Sequence, residues 1–218
     1  METYSFFIKN GAVYLLFPLL FINTNYFMLS SILGLKLFGA NYYYTFRKLY
    51  DNEYIKFKHL ARLTDTGHYA MLLGYFNKEF LPICHNINFI ITFFFWSATI
   101  AMGMTSVDEI KNKEINSTLQ LVYTYIHHGL YYSFTLYFLK DNEITFDMVS
   151  LKYTYYWILI WLIFIYIPWV LLTNDYIYSI MEDSELRKKA IIVGLCFPLV
   201  ANTFGYLINI FFHYKSLN

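Results

Sequence analysis

Residues 153–174 read YTYYWILIWLIFIYIPWVLLTN and contain no Lys, Arg, Asp or Glu. A helix needs about 20 predominantly apolar residues to cross the hydrocarbon core of a bilayer, and this segment has both the length and the composition. Residues 10–35, 80–107, 115–139 and 190–214 meet the same test. A sixth stretch, 59–77, is apolar only after Asp65. The sequence therefore predicts an all-α polytopic membrane protein, six transmembrane helices in one bundle, with residues 1–218 as a single domain. Charged residues make up only 14% of the chain, too few to clothe a soluble protein of this length.

The first stretch is too long for a signal-peptide core and carries Asn23, Thr24 and Asn25. It is expected to be retained as a helix; a cleaved signal is the alternative. The abundant Phe, Tyr and Trp suit lipid-facing and interfacial positions and imply no cofactor. Cys84 and Cys196 sit in apolar segments without metal-ligand spacing, as buried small hydrophobes do. A formal net charge of +1, with no basic run of the kind that suggests nucleic acid, gives no reason to expect such a partner. Lys and Arg concentrate in the first, third and fifth loops, among them Lys36, Arg47, Lys48, Lys111 and Arg187-Lys188-Lys189. That bias predicts cytosolic odd loops and lumenal or external termini. The sequon Asn116-Ser117-Thr118 then faces the cytosol and stays unglycosylated.

Polar residues inside these apolar stretches point to function. An ionisable group in a bilayer costs a few kcal/mol or more, so it normally faces a protein interior or a wet cavity. Arg62, Thr64, Asp65 and His68 crowd the start of the second segment, and His127-His128 lies within the fourth. On a helix Thr64 and His68 share a face, and so do Arg62 and Asp65. A Thr hydroxyl attacks an acyl carbon only when a base takes its proton, usually an imidazole, and His128 is the candidate base. The plainer alternatives are that Arg62 and Asp65 cap a helix, that Thr64 bonds backbone, and that the histidines pack the bundle. A metal site built from His68, His85 and His127 is a remote alternative, because the chain lacks the dense His arrays of membrane metalloenzymes. Neither a metal nor a cofactor is expected. The chain has no G-x-S-x-G elbow, P-loop or dinucleotide fingerprint.

Several short motifs, in order, resemble a known family. His59-Leu60-Ala61-Arg62-Leu63-Thr64, followed by Leu72-Leu73-Gly74-Tyr75, is similar to the Phe-Leu-Thr segment of the androgen-induced and androgen-dependent TFPI-regulating proteins. His128-Gly129 with Asp141 resembles that family's N-H-G-x-x-H helix and its closing acidic residue. Trp169 to Tyr178 resembles its W-x-x-x-x-T-G-x-W-x-Y-P segment. The resemblance runs from about Lys58 onward. It implies six transmembrane helices and a threonine-dependent hydrolase of lipid esters, notably fatty acid esters of hydroxy fatty acids. Carried over, the nucleophile falls on Thr64. The family's catalytic His falls on Tyr131, whose phenol keeps its proton at neutral pH and is no equivalent base. Asn174 and Ser179 stand in place of the family's Gly and Pro.

These readings converge on an enzyme with Thr64 and His128 as catalytic residues. Arg62, Asp65, His68, His127 and Tyr131 would line the site for a membrane lipid or fatty-acyl ester. The alternative is a catalytically impaired lipid binder of the same fold. No sorting signal points elsewhere, so the endoplasmic reticulum is the expected membrane. The two polar clusters are expected to share one cavity. For topology, cysteine-accessibility labelling should find the loop after Lys36 cytosolic and residue 216 lumenal. A glycan on Asn116 would reverse the assignment.

Overall fold

A computed structural model describes residues 2–14, 16–21, 26–46, 55–102, 117–178 and 181–214. The described residues are almost entirely helical and include no strand. The α-helices are α1 (Glu2–Tyr14), α2 (Phe27–Phe46), α3 (Ile55–Ala61), α4 (Leu63–Phe76) and α5 (Leu81–Met102). They continue with α6 (Ser117–Asp141), α7 (Met148–Trp161), α8 (Ile167–Thr173) and α9 (Ser184–His213). The chain forms two compact units: 1–59 with 95–131, and 60–94 with 132–218. The expected sequon at Asn116, the basic residues Arg47, Lys48 and Lys111, and residue 216 lie outside the described residues.

Three helices among the described residues are long and apolar enough to cross a membrane: Lys78–Ile100, Met148–Thr173 and Ser184–His213. They correspond to three of the six expected spans. α6 has 25 residues, but Gln120, His127, His128 and Lys140 dilute its apolar character. The second expected segment breaks at Arg62, whose backbone is extended (φ −65°, ψ 138°). What remains as α4 has 14 residues. At about 1.5 Å per residue it rises roughly 21 Å, short of a ~30 Å core. The first expected span is also divided. α1 ends at Tyr14, a 3₁₀ turn over Phe17–Phe21 holds the buried Pro18, and α2 begins at Phe27. Proline has no N–H to continue a helix, which accounts for the interruption. α2 then runs on to Phe46, taking residues 36–46 that were expected in a loop.

In the first unit, α1 packs on α2 through Phe6, Phe7, Phe38 and Tyr42, with Phe7 and Phe38 centred 5.1 Å apart. Asn41 donates to the Asn10 side chain across the pair at 2.8 Å.

The second unit is held by buried polar groups between helices. Asn86 on α5 donates one amide N–H to the Thr154 hydroxyl on α7 and the other to the Asn202 carbonyl on α9, both at 2.9 Å. Ser150 Oγ lies 2.9 Å from the same Asn202 oxygen. Asn86 and Thr154 are wholly buried and Asn202 is 9% exposed, so each group unpaired would carry a desolvation cost. Asp147 caps α7 through the Val149 and Ser150 N–H groups, and Ser150 Oγ accepts from the Asp147 N–H. Asp183 caps α9 in the same way. Close approaches complete the packing. A Cβ at Gly205 would sit 2.3 Å from the Phe146 ring, and one at Gly67 would sit 2.3 Å from Ile91 Cδ1.

The apolar span from Met148 contains one π turn, Leu162–Tyr166, directly before α8. Pro168 lies two residues beyond it. Proline in an α-helix clashes with the carbonyl four residues back, here Phe164, and the wider turn relieves that clash.

Asn86→Ala should lower stability by about 1–3 kcal/mol, because several buried partners lose their bonds at once. Thermal unfolding in detergent measures the loss, and Thr203→Val, at an exposed position on α9, should change stability by less than about 0.5 kcal/mol.

Candidate functional site

The first turn of α4 carries the densest set of chemically capable groups. Arg62 is the half-exposed residue preceding the helix, Leu63 its first residue and Thr64 its second. Early N–H groups of a helix have no intrahelical acceptor. The Thr64 N–H instead points to the Tyr178 phenol oxygen at 3.4 Å. Thr64 Oγ1 lies 3.5 Å from the same oxygen. Thr64 and Asp65 are each 4% exposed and His68 is 1% exposed. His68 Nδ1 is 3.9 Å from Asp65 Oδ1, one turn apart along α4. Next to them Thr66 Oγ1 accepts from Trp157 Nε1 at 3.2 Å, and Asn88 on α5 donates to the Gly67 carbonyl at 3.2 Å. α4 is thereby tied to α5 and α7 on either side of its polar turn.

Tyr178 belongs to the segment after α8, and that segment is itself well anchored. α8 ends on Asn174, which adopts a left-handed backbone (φ 51°) and sends its N–H to the Val170 carbonyl. Asn is the residue best suited to that conformation after Gly. Asp175 accepts from Trp169 Nε1 at 3.1 Å, and its N–H meets Thr173 Oγ1 at 3.2 Å. Ile177 is wholly buried in a cluster with Ala61, Trp161, Tyr166 and Met181. Trp161 Nε1 donates to the Ala61 carbonyl at 2.8 Å. Burial pushes the Tyr178 phenol above its ordinary value; its contacts with Thr64 and the nearby Arg62 charge pull the other way, and Asp65 raises it again. The phenol therefore remains a proton donor at neutral pH.

The other expected site residues belong to the first unit. His128 Nδ1 lies 2.8 Å from the Thr124 carbonyl. A carbonyl only accepts, so Nδ1 carries the proton and Nε2 the lone pair of the neutral ring. The His128 ring stacks on Phe95 with centroids 3.7 Å apart and planes 8° from parallel. His127 meets His128 and Tyr131 edge-on, at 5.6 and 5.4 Å. Tyr131 is 2% exposed, and its hydroxyl donates to the Ile32 carbonyl at 3.5 Å. Of the expected residues, Arg62, Thr64, Asp65 and His68 belong to the second unit's α4 turn, and His127, His128 and Tyr131 to the first unit's part of α6. No family model matches the chain, nor does any curated protein or solved structure.

His85, weighed in the sequence as a metal ligand, has both ring nitrogens engaged. Nδ1 meets Asn86 Oδ1 and Nε2 meets the Tyr132 hydroxyl, each at 3.1 Å. The Asn86 amide N–H groups are already donated to α7 and α9, so its oxygen accepts the His85 Nδ1 proton. His85 Nε2 then accepts from Tyr132. Cys84 is buried, as expected, whereas Cys196 is exposed.

Sequence reasoning missed Tyr178 as a site residue, although the resembled segment contains it. It also missed Asn86, Thr154 and Asn202. The available signal was the same as for the histidines, a polar side chain within a span.

Asn174→Gly should leave stability within about 0.5 kcal/mol of wild type. Asn174→Val, forced into a left-handed backbone, should cost about 1–2 kcal/mol, read from the thermal midpoint.

Proposed function

We propose that this chain is an intramembrane hydrolase of lipid esters, acting on fatty acid esters of hydroxy fatty acids or similar substrates. Thr64 is the nucleophile and His128 the base. The observation that carries this reading is the Thr64 hydroxyl: it is 4% exposed at the opening turn of a helix, 3.5 Å from a phenol. A buried Thr that only capped a helix would bond backbone, as Thr66 Oγ1 does to the Leu63 carbonyl at 2.8 Å. His128 supports the base role through its Nδ1 bond, which makes Nε2 the basic nitrogen. Arg62, Asp65 and His68 would contact a polar or carboxylate head group, and His127 and Tyr131 would line the remainder of the site. The proposal includes six membrane-spanning helices and residence in the endoplasmic reticulum.

Catalysis would proceed by acyl transfer. Thr64 Oγ1 bonds to the ester carbonyl carbon while its proton passes to the imidazole. The tetrahedral adduct collapses, the bond to the alcohol oxygen breaks, and the imidazole returns the proton to that alcohol. Water then attacks the acyl-threonine by the same steps, releasing the acid and restoring Thr64.

A second reading has its own support. Tyr131 stands where the resembled family carries its catalytic His, and its phenol is buried and bonded to backbone. Such a residue packs a helix, which suits a lipid binder that no longer turns over. Purified protein separates the two. Under the first reading, a fluorophosphonate probe labels wild type and not Thr64→Ala, and Thr64→Ala loses ester hydrolysis. His128→Ala should cut the rate at least about 10²-fold. Activity that appears only in Tyr131→His would establish the binder instead.

A further inference from the structure

We infer that Tyr178 is a catalytic residue, its hydroxyl and the Thr64 N–H together receiving the negative oxygen that forms when Thr64 attacks an ester. The inference rests on the hydrolase reading and adds a residue that the sequence did not place in the chemistry.

The geometry sets the Thr64 N–H and the Tyr178 hydroxyl side by side at the nucleophile. The Thr64 N–H and Thr64 Oγ1 both face one phenol oxygen, at 3.4 and 3.5 Å. Both contacts are longer than the 2.7–3.2 Å of ordinary hydrogen bonds, so little is lost when a better acceptor arrives. A substrate carbonyl oxygen that accepts from the Thr64 N–H and the Tyr178 O–H brings its carbon next to Oγ1. Donors aimed at the place where charge develops accelerate acyl transfer most when they are held before the substrate comes. Tyr178 is held in that way. The residue before it is wholly buried, and the segment leading to it is fixed by Asn174 and by the Trp169–Asp175 bond. The local charges are mixed: Thr64 lies in the first turn of α4, whose dipole favours an anion, and Arg62 acts on the same phenol, against the Asp65 carboxylate. Because burial raises the phenol's pKa, the hydroxyl keeps its proton at neutral pH.

The step balances without any further reactant. The carbonyl π pair moves onto the oxygen as the Oγ1–carbon bond forms, Tyr178 stabilises that oxygen without giving up its proton, and the pair returns when the alcohol leaves.

The test uses the full chain in nanodiscs, a long-chain acyl p-nitrophenyl ester as substrate, and two ligands that are not hydrolysed. One is a long-chain trifluoromethyl ketone, which forms a tetrahedral adduct with a nucleophile; the other is the matching alkyl ether. Tyr178→Phe should lower kcat about 10²–10³-fold, leave KM nearly unchanged, and weaken the ketone by a similar factor while leaving the ether's affinity intact. Equal kcat in Tyr178→Phe and an active wild type overturns the inference alone. So does equal loss of ketone and ether binding, which marks a purely structural contact. A wild type that hydrolyses no ester overturns the hydrolase reading and this inference together. Should Tyr178→Phe fail to fold, 3-fluorotyrosine at position 178 keeps the ring and hydroxyl but alters the donor's acidity. A changed kcat then supports the role, and an unchanged kcat overturns it.

Discussion

Asn86 gives its two amide hydrogens to two different helices, and the second unit depends on that division. Lipid tails are as apolar as Leu, so helices in a membrane gain little by hiding apolar faces from them. Shape and interhelical polar bonds must set rotation and depth. With Thr154 on one side and Asn202 on the other, α5 cannot turn about its axis without stranding all three groups. The neighbours of Asn86 then follow. His85 is aimed at Tyr132 on α6, and Asn88, two residues along, reaches the Gly67 carbonyl on α4. Gly67 is three residues past Thr64. The position of the candidate nucleophile is thus referred, bond by bond, to a pair of buried amides well away from it.

Some of this arrangement was legible in the sequence, and the reason is energetic. Apolar runs of bilayer length announce themselves because any charge in them is costly, and three appear as long helices. The burial of Thr64, Asp65 and His68 was readable on the same ground. The break at Arg62 was not, because an extended residue leaves no mark on hydropathy. Nor was the division of the first apolar stretch, where Pro18 sits in a 3₁₀ turn among apolar neighbours.

The missed site residues share another property: their meaning lies in distant partners. Asn86 and Asn202 are separated by 116 positions, and each alone is an Asn in an apolar run. Tyr178 is one Tyr of 23, in a chain whose aromatic excess has an adequate interfacial explanation. Its 114-residue separation from Thr64 hides a contact that only the fold creates. Asn174 is the reverse case. Its place in the sequence looks ordinary, yet it alone among the described non-glycine residues adopts a left-handed backbone and so ends α8.

The π turn at Leu162–Tyr166 makes this the one place in the span that can absorb a change in length. A π turn holds one residue more than the α turn it replaces, while the helix on either side keeps its register. Removing one of these residues would let the helix regularise and leave Trp169, Asn174 and Tyr178 facing as they do. Removing one from the α-helical turns of α7 would instead rotate everything downstream by about 100°, the angle of one α-helical residue. Side chains at 163 and 164, both exposed, are free to vary among apolar types. Register, rather than chemical identity, is what the turns before Leu162 contribute.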